Sequence, residues 1–351
     1  MNDFVSVILP CRNEEKTVGD CIRKVRKVFS EHGIHGEIIV SDSSTDNSAS
    51  IAMKLGVKVI RHNKEGYGYA YQEGFKHSKG DIIIIGDADN TYDFSEIPKL
   101  LSKAKGNDIV IGSRLKGSIK KGAMPWLHRY VGNPLLSIML RFLFGSKVSD
   151  TQSGFRLVKR EAWKKLNLQT TGMEFASEMI IRATKQKMRI AEVPINYYPR
   201  KIGSKSKLRS LRDGWKHLRF MLLYSHSLLF MLPGIILLLT GIALLTMFLS
   251  SLFYSLLGVL LIVLGYQVIM LGVFAKTYAA VHLKQKSKLV DFINRHVSLE
   301  KGVLVGILTL LIGLALVFIL HTFIISLALF IIGIQTLFGA FFMSIIGIEE
   351  R

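Results

Sequence analysis

The residues best placed to do chemistry in this chain are short polar clusters, each following a run rich in branched apolar side chains. Asp87-Ala88-Asp89 closes the run DIIIIG. Positions i and i+2 of an extended chain project to the same side, so these two carboxylates can share one hard cation. Mg2+ takes one or two carboxylates and completes its shell with phosphate oxygens and water, which points to a phosphorylated ligand. A lone Asp-x-Asp is more often a solvated turn, but two further clusters sit in register with this one. Pro10-Cys11-Arg12-Asn13-Glu14-Glu15 follows FVSVIL, and Asp42-Ser43-Ser44-Thr45-Asp46 closes EIIVSD, although its last residues can also simply cap the next helix.

These clusters need a scaffold. FVSVIL (4–9), EIIVSD (37–42), VKVI (57–60), DIIIIGD (81–87) and DIVIGS (108–113) predict strands. Between them Val18, Ile22, Val25 and Phe29 form one helical stripe, and Ile97, Leu100 and Leu101 another. Continuous apolar strands alternating with helices predict an α/β fold with a mostly parallel sheet covered on both faces. In such sheets ligands bind beyond the carboxyl ends of the strands, where the three clusters lie. Gly66, Gly68 and Gly74 fall in a turn and helix, but no GxGxxG follows a strand and no GxxxxGK[ST] occurs. That excludes the usual dinucleotide and P-loop sites. Two cysteines, Cys11 and Cys21, support neither a disulfide framework nor structural zinc. The N-terminus lacks a basic region before a long apolar run, so the first half is expected in the cytosol.

The chain has 351 residues and a formal net charge of +20. Residues 1–113 hold 15 Lys/Arg and 16 Asp/Glu, whereas residues 114–227 hold 24 and 6. No zinc finger, RNP motif or recognition-helix pattern accompanies the basic excess, so the expected partner is an anionic membrane face rather than nucleic acid. No charged residue occurs from Phe220 to Ala275 or from Gly302 to Ile348, and about 20 apolar residues cross a bilayer as a helix. The expected spans are 228–249, 252–275, 303–320 and 323–347, paired as two hairpins. The link 276–301 carries six Lys/Arg, so the positive-inside rule places it, the N-terminal half and the C-terminus on the cytoplasmic side. Leu208, Leu211, Trp215, Leu218 and Leu222 line one face of an amphipathic helix, with Arg209, Arg212, Lys216 and Arg219 on another. Such a helix lies in the interface or packs on the soluble domain. Pro134–Phe144 is a further apolar run, too short to span. The expected domains are 1–207 (soluble), 208–226 (interfacial helix) and 227–351 (membrane).

VSVILPCRNEE, IIVSDSSTDNS, Asp87-Ala88-Asp89, Ile111-Gly112-Ser113-Arg114 and the run Asp150 to Arg156 (DTQSGFR) together resemble a family 2 glycosyltransferase of GT-A fold. MEFASEM (173–179), EVPINYYPRKIGSKSKL (192–208) and the amphipathic helix before a membrane hairpin are similar to its polyprenyl-phosphate branch, which includes dolichyl-phosphate mannose and glucose synthases. The resemblance covers about residues 4–226. It implies that Pro10, Arg12, Glu14 and Asp42 line the nucleotide base. It implies that Asp87 faces the ribose or waters around the metal, and that Asp89 holds Mg2+ or Mn2+ against the diphosphate. Some mannose-transferring relatives add a metal-binding Gln two residues past the second Asp, where this chain has Thr91.

The implied reaction is inverting transfer of a hexose, from GDP-mannose or UDP-glucose, to dolichyl or polyprenyl phosphate. Alternatives are a non-catalytic or lipid-translocating protein that keeps a nucleotide-sugar-binding domain, and a transferase with another acceptor. A processive polysaccharide synthase is disfavoured by the lack of a Gln-x-x-Arg-Trp motif. A lipid phosphate carries about −1.5 to −2 charges near neutral pH and needs cations more than a base, and Arg binds phosphate oxygens in pairs. Arg114 and Arg129 match the family's acceptor region, and Arg200, Lys201 and Lys205 lie in the loop before the interfacial helix. Glu174 and Glu178 sit near the expected sugar site, with an ion pair between Glu178 and Arg182 the competing reading.

Overall fold

A computed structural model of the protein describes residues 3–200, 210–225, 227–248, 250–281, 290–293, 298–320 and 323–347. The chain divides into two compact units, Met1–Met221 and Leu222–Arg351.

The first unit is built on seven strands: β1 (Val5–Cys11), β2 (Gly36–Asp42), β3 (Lys58–Arg61), β4 (Ile82–Ile85), β5 (Ile109–Ile119), β6 (Arg156–Lys159) and β7 (Ile190–Tyr197). Their order is β3-β2-β1-β4-β6-β5-β7. β6 runs antiparallel to both of its neighbours, and the other pairings are parallel. Neither β6 nor β7 is among the strands expected from the sequence. β6 has only four residues, and Pro194 interrupts the apolar alternation of β7.

Alternation along the strands splits the core in two. Val7 and Leu9 of β1 join Ile82, Ile84 and Leu157 on one face of the sheet, whereas Ile8 joins Ile83, Ile85, Ile109 and Val158 on the other. Helix α1 (Val18–Glu31) buries Val18, Cys21, Ile22, Val25 and Val28, at spacings of three and four, on the first face. The second face is covered by α6 (Arg160–Leu166) and α7 (Phe175–Lys185) together with Tyr71 of α3 (Tyr67–Lys76); α2 (Ser48–Lys54), α4 (Ile97–Ser102) and α5 (Asn133–Phe144) complete the connections. The chain leaves β1 toward β2 and β3 at one edge of the sheet, and leaves β4 toward β5, β6 and β7 at the other. The carboxyl ends of β1 and β4, at Cys11 and just before Asp87, therefore flank the crevice where α/β sheets bind ligands.

Helix α8 spans Ser210–Tyr224. Among its described side chains His217, Met221 and Tyr224 are buried, while Trp215 is 60% exposed. The Ser177 hydroxyl and His217 Nδ1 share a hydrogen bond of 2.8 Å. The helix therefore packs on α7 through His217, one position round from the stripe expected through Trp215. The expected boundary at 207/208 lies outside the described residues.

Among its described residues the second unit holds four helices long and apolar enough to cross a membrane: Leu228–Met247, Leu252–Val281, Leu299–Phe318 and Phe323–Gly347. Twenty helical residues span about 30 Å, the thickness of a hydrocarbon core. The second runs six residues past Ala275 and the third begins before Gly302, so the link expected at 276–301 is shorter than the charges suggest. Lys276 and Lys301 are good helix formers and do not end a helix. Within each helix pair glycines allow close backbone approach: a Cβ on Gly241 would lie 2.6 Å from the Gly258 carbonyl oxygen, and one on Gly333 2.7 Å from the Leu310 nitrogen. Tyr266 and Thr336 hydroxyls, 2.6 Å apart, join the two pairs.

Candidate active site

The crevice beyond β1 and β4 is a cleft of about 260 Å³ whose lining includes Pro10, Arg12, Glu14, Asp87, Asp89 and Arg200. Six residues expected from the sequence, drawn from three separate segments, thus meet in one place.

Asp89 is 2% exposed and held from two sides. Its Oδ1 accepts the Thr91 hydroxyl at 2.6 Å and the Thr91 amide at 3.0 Å. Its Oδ2 pairs with the Arg200 guanidinium, which also approaches Glu14 at 3.7 Å. Thr91 therefore braces the carboxylate in this structure. Asn90 between them adopts φ 65°, a left-handed conformation that Asn tolerates better than most residues.

Asp87 lies against a tyrosine cluster. The Tyr71 hydroxyl donates to its Oδ1 at 3.2 Å, and Tyr67 and Tyr71 hydroxyls are 3.5 Å apart. Burial, followed by the charge of Asp89, pushes the Asp87 carboxyl up to about 7, with Arg200 and the two tyrosines opposing. Gly154 makes this packing possible. A Cβ there would sit 2.6 Å from the Tyr67 hydroxyl, 3.1 Å from Asp87 Oδ2 and 3.3 Å from the Tyr92 hydroxyl, and its own N–H donates to Tyr92 at 2.7 Å. The sequence reading missed Tyr67, Tyr71 and Tyr92. The signal available for the first two was their spacing of four on the helix after the glycine turn.

Other expected site residues are engaged elsewhere. The Arg114 guanidinium forms a fork on Asp150 (Nε to Oδ2 2.9 Å, Nη2 to Oδ1 2.8 Å), and the Arg114 amide also donates to Oδ2 at 2.9 Å. Arg114 is 7% exposed and Asp150 is fully buried. Arg114 also lies over the Tyr197 ring, and the amide of the next residue, Tyr198, donates to the Thr91 carbonyl at 2.9 Å. A chain of contacts thus runs from Asp150 through Arg114, Tyr197 and Thr91 to Asp89. Asp42 is fully buried too. Its carboxylate takes the Ser44 hydroxyl at 2.6 Å and the Ser44 amide at 3.3 Å, which shapes the loop after β2. Arg129 stands in a wide helical turn, His128–Gly132, and donates to the Ile119 carbonyl at 3.5 Å. Lys201 and Lys205 lie outside the described residues.

Beside the cleft, and sharing Arg12 and Ser43 with it, is a polar recess of about 540 Å³ lined by residues such as Asn13, Thr45, Arg61, His62 and Glu65. Glu178 is fully buried, pairs with Arg182 at 2.7 Å and accepts the Gln169 and Thr170 amides, so it secures the start of α7. Arg156 is likewise internal, its guanidinium donating to the carbonyls of Thr151, Ser153 and Ala176. Among the described residues no group of three or more His, Cys, Asp and Glu is arranged to hold a metal. The acidic pair Asp87 and Asp89 fits an ion that completes its shell with phosphate and water.

Comparison with known proteins accords with this geometry. The glycosyl transferase family 2 profile matches residues 6–166. The low-salt glycan biosynthesis hexosyltransferase Agl6 of Haloferax volcanii is 46% identical over 232 residues, 66% of this chain and 56% of that protein. A dolichyl-phosphate hexose transferase of the same organism is 32% identical over 202 residues, 56% of this chain and 84% of that one. The chain belongs to glycosyltransferase family 2. This family 2 glycosyltransferase thus spans little more than half the length of the Agl6 relative. Among solved structures, glucosyl-3-phosphoglycerate synthase from Mycobacterium tuberculosis, in complex with Mn2+, UDP and glucosyl-3-phosphoglycerate, aligns with a TM-score of 0.51 at 23% identity. The alignment covers 63% of this chain and 79% of that one, and shows a shared GT-A fold.

Proposed function

We propose that the protein transfers a hexose from a nucleotide sugar, GDP-mannose or UDP-glucose, to dolichyl or another polyprenyl phosphate, inverting the anomeric carbon. The observation that carries this reading is the Asp87/Asp89 pair at the end of β4, facing Arg200 across one cleft. The resemblance to a dolichyl-phosphate hexose transferase supports the acceptor class, and the four apolar helices suit a chain seated in the membrane where such an acceptor resides.

The polar recess next to Arg12 suits the nucleoside, with Ser43 and Arg12 leading from it to the acidic pair. Asp87 and Asp89 would hold Mg2+ or Mn2+, which when bound stabilises charge on the departing nucleoside diphosphate. Thr91 keeps Asp89 aimed at that position. An acceptor phosphate oxygen attacks the anomeric carbon as the bond from that carbon to the diphosphate oxygen breaks, and the bonding pair leaves with the nucleotide. The phosphate is already anionic, so no side chain need remove a proton. Arg200 exchanges carboxylate partners for phosphate oxygens, with Arg129, Lys201 and Lys205 adding positive charge on the acceptor side. Arg114 acts as a positioning residue through Tyr197 and Thr91. By the positive-inside rule the catalytic unit, the basic link and the C-terminus share the cytoplasmic side.

The test is incorporation. The purified full chain with Mg2+ or Mn2+ and a polyprenyl phosphate is given labelled GDP-mannose or UDP-glucose separately, and organic-phase label is counted. Label from one donor, dependent on the lipid, is expected. Label only in water-soluble product overturns the acceptor.

A further inference from the structure

The run EVPIN opens on Glu192, which the proposed reaction leaves without a role. It lies on β7, the edge strand of the sheet, level with Ile111 of β5. A charged residue on an edge strand ordinarily faces water and discourages unwanted pairing. The Glu192 side chain is instead only 7% exposed, and both of its oxygens are engaged. Oε1 accepts the Ser149 amide at 2.9 Å, the Ser149 hydroxyl at 2.8 Å and the Asp150 amide at 3.2 Å. Oε2 pairs with Lys116 Nζ at 2.6 Å.

Three donors converging on one oxygen suit an ionised acceptor, whose hydrogen bonds are stronger than those of a neutral one. A glutamine at this position would have to aim its NH2, itself a donor, at the loop's donors or at the lysine. The segment of β5 beside this loop also needs support. Its pairing with β7 slips register between Ser113 and Ser118, so the strand ladder does not fix Arg114 or Lys116, which both stand in the irregular stretch. Carboxylates hold them instead: Asp150 takes the first and Glu192 the second. Glu192 also holds the backbone that presents Asp150. Further along the same loop, the Ser153 hydroxyl donates to the Gly112 carbonyl at 2.5 Å and the Gly154 amide to the Tyr92 hydroxyl at 2.7 Å.

We infer that Glu192 is a positioning residue: its carboxylate fixes the loop at Ser149 and Asp150, and through it the aim of Arg114 and the seat of Gly154 beside Asp87. It acts on the site without touching the reacting groups. Only the rate readout rests on the proposed transfer, because hydrogen exchange reads the loop itself.

The test measures amide hydrogen exchange of the solubilised full chain, comparing peptides over 149–155 with peptides over β1, alongside the kinetics of transfer. In Glu192→Gln, exchange at 149–150 is expected about ten- to hundredfold faster, the scale of one lost bond to a charged group, with β1 unchanged. Misplacement near a site can cost as much as about a hundredfold in rate, and here kcat and kcat/KM should fall together by about tenfold or more. Lys116 is half exposed and such pairs contribute little, so Lys116→Met should leave exchange and kcat at the parent values. Ser149→Ala removes one of the three donors and should lie between, which keeps the test open if Glu192→Gln does not fold. Added to Asp150→Asn with Arg114→Met, Glu192→Gln should still free the loop but lower kcat no further, because the group it positions is gone. Unchanged exchange at 149–155 overturns the inference. So does a uniform rise across the unit with kcat per folded chain unchanged, which reports stability alone. A further fall of kcat in the Arg114→Met background also overturns it, since Glu192 then acts on another target. A parent chain that transfers no label refutes the proposed reaction, while exchange still decides whether Glu192 holds the loop.

Discussion

Replacing Asp150 by Asn tests whether Arg114 is a structural anchor or a free phosphate ligand. Asn keeps an oxygen for the Arg114 backbone N–H but removes the charge facing a guanidinium that is 7% exposed. Breaking a buried pair by removing one partner costs about 3–5 kcal/mol, because the remaining charge stays desolvated. For a unit of about 220 residues each kcal/mol moves the melting temperature by about 2–4 °C, so a fall of about 6–20 °C is expected. The assay is thermal unfolding of the solubilised full chain, followed by intrinsic fluorescence at a fixed scan rate. Adding Arg114→Met to Asp150→Asn should recover most of the loss, since the orphaned charge is then gone while the amide oxygen still accepts the backbone N–H. The pH dependence has a definite sign. Burial raises the Asp150 carboxyl, but the charge and hydrogen bonds of Arg114 outweigh it and hold it below its ordinary 3.8. Its stabilisation is therefore present throughout pH 5–8 and lost only as pH falls below about 4. A melting temperature for Asp150→Asn within about 2 °C of the parent would refute the reasoning and return Arg114 to the substrate-binding set.

Three further outcomes follow from the same geometry. Thr91→Val removes a hydroxyl bonded to a carboxylate, an interaction worth about 1.5–3 kcal/mol. It should raise the metal concentration for half-maximal activity about ten- to hundredfold, and an unchanged metal titration would contradict it. Gly154→Ala drives a methyl against the Tyr67 hydroxyl and Asp87, at an overpacking cost of about 1–3 kcal/mol. Activity should fall about tenfold and recover in part when Tyr67→Phe removes the hydroxyl, as measured by turnover. Burial raises both the Cys11 and Cys21 thiols to about 12. At pH 8 the native chain should therefore alkylate about a thousandfold more slowly than a thiol near 8.5, with reactivity appearing on unfolding; rapid labelling of the native protein would refute this.

The strands that carry Pro10–Glu14, Asp42 and Asp87–Asp89 were legible because each is a continuous apolar run ending in a polar cluster, and the sheet does place those ends together. The partners of the site were not legible. Asp150 lies 36 residues from Arg114, and nothing local in the sequence distinguishes an arginine paired by a buried carboxylate from one open to phosphate. Asp42 shows the same limit, since its carboxylate serves a turn two residues on. Thr91 read as the loss of a metal ligand, whereas its hydroxyl holds the ligand that remains. Tyr92 was invisible because its role depends on Gly154, brought beside it only when β6 pairs with β4. The apolar run at 134–144 could not be assigned to core or interface from its pattern, because the pattern does not say which face another element covers.

The central claim is that the Asp87/Asp89 cleft performs the transfer, and Asp89→Asn in the incorporation assay tests it most directly. The substitution keeps the shape and an oxygen for Thr91 but removes the charge that pairs with Arg200. Organic-phase label should fall by about two orders of magnitude or more, the scale at which loss of one charge-stabilising group acts, while the thermal unfolding profile shows that the fold remains. Label undiminished by Asp89→Asn would contradict the account, because the transfer would then proceed without this carboxylate.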